Sequence, residues 1–339
     1  MFADLTAAGI DRGAGHAAIG VDVGGTKVAV GLLDAASLTL LDRTEIPTRP
    51  DRGGAAVLRD TAAEVVRLAV RAGRDGRQVL GVGVAVPEIV DLSGRITSSA
   101  VIHGWNGLPV SEVLGAAGPV RIEADVRAAA FAEAVLGAGR WAYHLYLTIG
   151  TGISYCAVYQ GRPVAGAHGG ALNIGTSVLA DLPGHGSGRE QVVLEDLASG
   201  AALVRRYQAG GGTARRAEEV FAAAGHGDPA ATELVDDAAR TLGTGIALLV
   251  NVLDPEAVVV GGGLGSADSG YFASAVSWAR QYMYSDTARA IPITHAELGA
   301  DAGVIGAALV GLLAPVPEGQ AAASGSAPAP PATGLGRAR

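Results

Sequence analysis

The chain has 339 residues, of which 49% are hydrophobic, 17% charged and 4% aromatic, and a prior of about 150 residues per domain points to two domains. That composition excludes global disorder and a collagen repeat, although the 51 glycines are about twice the average share. With 25 basic and 33 acidic side chains the net charge is −8, which argues against nucleic-acid binding and against attachment to an anionic membrane surface.

The single cysteine, Cys156, excludes an internal disulfide and a multi-cysteine zinc site, and fits a reducing compartment. The opening residues carry Asp4 and Asp11 and lack an apolar stretch, so no signal peptide is expected. No apolar run reaches the ~18 residues of a membrane span. A cytoplasmic protein is the expectation. Lys27 is the only lysine, a skew that fits the codon usage of a GC-rich genome.

In chain order, residues 18–23 and 27–33 read as a β-hairpin around Gly24-Gly25-Thr26, and 38–44 as a third strand. Residues 52–72 show helical spacing, with Val57, Leu58, Val65, Leu68 and Ala69 on one face. Next come a buried strand over 79–86 ended by Pro87, a short strand over 119–123, and an alanine-rich helix over 125–136 that opens on Asp125. The strand, glycine turn and strand arrangement recurs at 143–149, Gly150-Thr151-Gly152 and 153–159. Helices are predicted over 195–207, 214–224 and 229–253, followed by a buried strand over 257–260 that runs into Gly261-Gly262-Gly263. A helix over 271–282, a strand over 291–296 and a helix over 302–313 complete the ordered part. From Ala314 onward Pro, Ala, Gly and Ser dominate, which predicts a disordered tail. The expected organisation is an extension over 1–16, a first domain over 17–136 and a second over 137–313 whose last helix packs back on the first.

Asp22-Val-Gly-Gly-Thr-Lys27 lies at a hairpin turn, which counts against a P-loop or a Rossmann fingerprint, since both need a helix after the glycines. Glycines in such a turn let backbone N–H groups approach phosphate with no Cβ in the way, and Asp22 beside them suits Mg²⁺. Taken alone, the turn is equally an ordinary Gly-Gly hairpin. Three glycine clusters at strand ends, spread over two domains, favour a nucleotide site.

Further motifs follow in a fixed order. They are Gly81-Val-Gly-Val-Ala-Val-Pro87, Glu123-Ala-Asp-Val-Arg-Ala-Ala-Ala130, Leu147-Thr-Ile-Gly-Thr-Gly152, Asn251-Val-Leu-Asp-Pro255, Gly261-Gly-Gly263 and Ala296-Glu-Leu-Gly-Ala-Asp-Ala-Gly303. With the Asp22 turn, this set resembles the ROK family of sugar kinases, within the actin-like ATPase superfamily, over about residues 17–313. The resemblance implies an α/β fold of two actin-like (ribonuclease H-like) domains with a nucleotide and substrate cleft between them. It also implies a homodimer that uses ATP and Mg²⁺ to phosphorylate a primary hydroxyl. Asp125 matches the family's catalytic base, against the plain alternative of a helix N-cap. Asp22 with Gly24, Gly25, Thr26, Lys27, Thr151 and Gly152 would hold phosphates and Mg²⁺, while Gly262 and Gly263 would support the adenosine. Glu195 matches a sugar-contacting glutamate.

The departures concern the acceptor. Ala124 stands where the family usually has Asn, Ala100-Val101 where it has Pro-Asn, and Asn173-Ile-Gly-Thr176 where it has Glu-Ile-Gly-His. Its zinc-binding cysteines would fall over 184–190, which contain none, so no structural zinc is expected. Each hydroxyl left without a partner costs ~1–3 kcal/mol, so losing the amides at Val101 and Ala124 would cost glucose ~2–6 kcal/mol. A C7-cyclitol of the valiolone or valienol type, phosphorylated on its 7-hydroxyl for natural-product biosynthesis, fits these changes better. Glucose or an N-acyl amino sugar is the alternative. His168 is either a substrate contact or a solvated loop residue, and Glu88, where the family has glycine, either reaches the cleft or is a surface charge. A reading of another class is a non-catalytic sugar-binding regulator, but only about 16 residues precede the first strand, too few for a DNA-binding domain.

Overall fold

The computed structural model describes residues 14–183, 189–267 and 270–313. The predicted tail from Ala314, residues 1–13 of the extension and residues 184–188 of the former zinc stretch lie outside the described residues.

Strands β1 (His16–Val23), β2 (Lys27–Asp34) and β3 (Leu40–Pro47) form an antiparallel meander. Helix α1 (Gly54–Arg74) crosses to β4 (Gln78–Val86), which runs parallel to β1, and α2 (Val110–Leu114) precedes β5 (Val120–Ala124), parallel to β4. The first sheet is therefore ordered β3-β2-β1-β4-β5. Helix α3 (Asp125–Leu136) leads to the second sheet, where β6 (Tyr143–Ile149), β7 (Ile153–Tyr159) and β8 (Arg162–Pro163) pair antiparallel. A hairpin of β9 (Val178–Pro183) and β10 (Arg189–Val193) feeds a helical run of α4 (Leu194–Ala198), α5 (Gly200–Ala209), α6 (Ala217–Gly225) and α7 (Pro229–Leu253). Strand β11 (Ala257–Gly261) then joins β6 in parallel, and α8 (Gly262–Gly265), α9 (Tyr271–Tyr282) and α10 (Asp286–Ala290) lead to β12 (Ile293–His295). The second sheet reads β12-β11-β6-β7-β8, and α11 (Ala302–Gly311) ends the described chain. This is the two-sheet α/β architecture that the motifs imply.

Burial explains the layering. Strand β1 is apolar on both faces, so it needs cover on both sides: α1 supplies one with Val57, Leu58, Val65 and Leu68, and α11 supplies the other. Helix α11 is buried all round from Val304 through Gly311, because the first sheet and α3 enclose it. Its fit depends on missing side chains. A Cβ on Gly83 would overlap the Ala307 carbonyl, and one on Gly306 would overlap the Ala128 carbonyl. The second sheet has its own core of Leu145, Leu147, Val258 and Val260 against Leu242 and Ile246 of α7.

Two local expectations change. The helix predicted over 195–207 is broken at Ser199, whose hydroxyl accepts the Ala202 N–H and caps α5. The break lets the Gly200 N–H reach the Gly150 carbonyl at 2.8 Å. The β9–β10 hairpin and the short α2 and α10 carry too little periodicity to be seen in the sequence. Among the described residues, no helix is long and apolar enough to cross a membrane.

Candidate active site

The two glycine turns share a device. In the β1–β2 turn, the buried Thr48 hydroxyl donates to the Gly24 carbonyl (2.6 Å) and the Thr48 N–H to the Thr26 carbonyl (2.9 Å). In the β6–β7 turn, the N–H groups of Gly200 and Ala201 take the carbonyls of Gly150 and Thr151 at 2.8 and 3.4 Å. The oxygens that would repel an anion are thus turned away. Among the described residues, the N–H groups of Gly25, Thr26, Thr151 and Gly152 carry no hydrogen bond within the chain. Because β6 and β11 are parallel neighbours, the second turn also meets the third cluster: a Cβ on Gly150 would lie 3.9 Å from the Gly263 nitrogen. Gly262 has φ +82° and no room for a side chain against the Ile149 backbone, whereas Gly263 faces open space. These are cradles of bare backbone, and they fit a nucleotide polyphosphate.

Asp22 ends β1 beside the first turn and Asp125 begins α3. Burial pushes Asp22 up to about 6, against the pull of Lys27 and Arg43. Burial and the like charge of Asp22 push Asp125 up to about 7, with Glu88 adding to the effect. At the start of a helix the dipole favours an ionised carboxylate, and these surroundings outweigh it. A carboxyl poised near neutrality suits a general base. Asp22 alone suits Mg²⁺ carried by phosphates, an ion that takes one or two carboxylates and completes its shell with substrate oxygens and water. A Cβ on Gly303, at the start of α11, would strike the Asp22 carboxylate, so glycine there lets the last helix abut this group.

On the acceptor side, Val101 is 45% exposed and its Cγ1 lies 3.3 Å from where a Cβ on Gly25 would be, so it borders the first turn directly. Glu195 accepts the Ile153 N–H at 2.7 Å and packs against Gly152 and Gly175. It therefore props the second turn. Asn173 is half-buried and Thr176 exposed, both on the loop before β9.

Several sequence expectations are corrected. Ala124, expected at the acceptor, is 1% exposed and its methyl packs within the first core. Lys27 is paired with Glu45 at the edge of the turn, and does not point freely at a phosphate. His168 is exposed, while its neighbour Gly169 packs on the Val90 carbonyl. Glu88 is neither a cleft contact nor a surface charge: it is 4% exposed and accepts the Ala100, Val101 and Ile102 N–H groups at 2.9, 2.8 and 3.1 Å.

Sequence reasoning also missed Arg127. Its buried guanidinium bonds the carbonyls of Gly169 (2.6 Å) and Val90 (2.7 Å) and the Glu123 carboxylate (2.6 Å at Nε), joining loops that follow β8 and β4. The sequence carried no signal for this, because burial is known only from the fold and two of the three partners are distant backbone carbonyls. Cys156 is buried, with its thiol pushed up to about 12, which makes it an inert core residue. A separate pocket of about 430 Å³, lined by 94–96, 107–112 and Ile122, holds none of the predicted site residues.

Comparisons with known proteins bear on the family. The chain is 30% identical over 306 residues to a glucokinase of Halalkalibacterium halodurans, covering 85% of this chain and 92% of that one. It is 32% identical over 301 residues to an N-acetylmannosamine kinase of Escherichia coli, covering 87% and 98%. The structure is similar to that of a ROK family glucokinase from Streptomyces griseus in complex with glucose and AMPPNP, with a TM-score of 0.71, 28% identity and coverage of 87% and 99%. Together with the pattern of the ROK family, which matches residues 18–312, these likenesses and the paired glycine turns show that the chain belongs to the ROK family.

Proposed function

We propose that the protein is an ATP-dependent kinase that phosphorylates a primary hydroxyl of a hexose-like acceptor, with Asp125 as the base. The observation that carries this reading is the near-neutral Asp125 carboxyl set beside Asp22 and the unpartnered N–H groups of the phosphate turns. Gly25, Thr26, Thr151 and Gly152 bind the phosphates through their backbone, and Gly262 and Gly263 bed the adenosine. Bound at Asp22 and the phosphates, Mg²⁺ would neutralise charge on the transferring group. Phosphoryl transfer has a loose transition state, so the chain contributes chiefly position and charge, and Asp125 takes the hydroxyl proton late. A single reduced cysteine and an acidic net charge support a cytoplasmic enzyme acting on small molecules.

For the acceptor we favour a C7-cyclitol over glucose. Support comes from Val101, which presents hydrocarbon at the edge of the phosphate turn, and from Ala124, which offers no amide. The names of the glucokinase and N-acetylmannosamine kinase relatives support the alternatives. The test is an ATP-consumption screen of glucose, mannose, N-acetylmannosamine and valiolone- or valienol-type cyclitols. A cyclitol should exceed glucose in kcat/KM by at least tenfold, the equivalent of about 1.4 kcal/mol. A preference for glucose would overturn the cyclitol reading and leave the kinase reading standing; turnover of none of them would favour a binding protein.

A further inference from the structure

Glu88 follows β4, and its carboxylate is closed to solvent although it carries no arginine or lysine partner in the described structure. Its charge is instead met by one hydroxyl and three backbone N–H groups. The Ser98 hydroxyl (2.5 Å) and the Ala100 N–H bond one carboxylate oxygen, and the Val101 and Ile102 N–H groups bond the other. The Ser98 hydroxyl oxygen in turn accepts the Ile89 N–H at 2.8 Å, which closes the loop onto the strand exit. A carboxylate gathering three successive amides curls the chain around itself, as an anion does in a backbone nest. Val101 stands at the crest of that curl, against Gly25 of the phosphate turn.

We propose that Glu88 is the positioning residue for the acceptor: its buried carboxylate sets the 98–102 loop, and through Val101 it fixes where the acceptor meets the phosphate turn. The inference rests on the kinase reading above and deepens it. Because Glu88 consumes the amides of Ala100, Val101 and Ile102, these three backbone donors are closed to an acceptor. The loop therefore discriminates against acceptors that need a donor from residues 100–102. Charge-assisted bonds to amides are short and strong, so the loop is held before substrate arrives.

The test compares Glu88→Gln and Glu88→Asp with the native enzyme. Steady-state kinetics are run with ATP and with the acceptor the native enzyme uses best from the four classes named above. Hydrogen exchange at the amides of residues 100–102 is followed in parallel. Gln turns an amide donor towards donors already in place, and should raise the acceptor KM at least tenfold while the ATP KM stays within twofold. The amides of 100–102 should exchange at least tenfold faster, with β1 and β4 unchanged. Asp keeps the charge one methylene short and should fall between Gln and the native enzyme; it carries the same readouts if the Gln variant does not accumulate folded. An unchanged acceptor KM, an equal rise of both KM values, or unaltered exchange at 100–102 overturns the proposal. If the native enzyme phosphorylates none of the acceptors, the kinase reading fails, and the exchange data alone decide whether Glu88 sets the loop.

Discussion

Asp125 begins a helix, where the dipole favours a carboxylate, yet burial and Asp22 lift it to about 7. Replacing it with Asn should lower kcat by ~10²–10⁴ while ATP binding, measured by calorimetry, is retained. With the native residue, acceptor kcat/KM should rise with pH through a midpoint near 7, because only the deprotonated group accepts the proton. Stability should run the other way. The folded chain holds the Asp125 proton more tightly than the unfolded chain, whose carboxyl has the ordinary value of 3.8. The stabilisation is full below about pH 4 and is lost as pH rises through about 7. Asp125→Asn should therefore raise Tm at pH 8, by about 2–4 °C for each 1 kcal/mol relieved, and leave it little changed at pH 4, as a thermal melt will read. Asp22, Asp125 and the glycine turns were legible because each sits inside a short motif. Thr48, Glu88 and Arg127 were not, since the partners that give them their roles lie 22 to 24, 10 to 14 and, apart from Glu123, 37 to 42 positions away and are mostly backbone atoms, which no side-chain pattern records.

At the scale of elements, α11 and the first sheet meet backbone to backbone. Gly83→Ala forces a methyl into the Ala307 carbonyl and should cost ~1–3 kcal/mol or more in urea unfolding, with no effect expected from lost side-chain contacts. Gly73, in the exposed last turn of α1, has nothing within reach of a Cβ, so Gly73→Ala should stabilise by ~0.5–1 kcal/mol. An equal response of the two variants would contradict the packing described. Elements with long apolar periods, such as α7 over Pro229–Leu253, could be read from the sequence to the residue. The split between α4 and α5 could not, because it serves a carbonyl at Gly150, nearly fifty positions earlier.

At the scale of the molecule, the chain passes between the two sheets after α3 and again after β12. Both passages are held by one side chain. Glu133, fully buried on α3, accepts the N–H groups of Ala138 (2.8 Å), Glu297 (3.1 Å) and Leu298 (2.8 Å). Glu133→Ala strands the buried Ala138 donor and two part-buried ones, so unfolding in denaturant should show a loss of at least ~1–3 kcal/mol. A loss below ~1 kcal/mol would mean that water replaces the carboxylate there. The strand, turn and strand unit that recurs at 143–159 pointed in the sequence to two domains of common design. The point at which the halves are fastened stayed hidden, because a glutamate inside an alanine-rich helix reads as a solvated charge until the fold brings residues 297 and 298 back to it.

The ion pair of Lys27 with Glu45 has a practical side. This is the only lysine in a chain whose other 24 basic residues are arginines, and it is 55% exposed at the rim of the phosphate turn. Apart from any terminal amine, an amine-directed dye has a single side chain to acylate in the whole protein. The native sequence therefore supplies a one-site fluorescent reporter beside the β1–β2 turn, with no cysteine to remove from the surface and no residue to introduce.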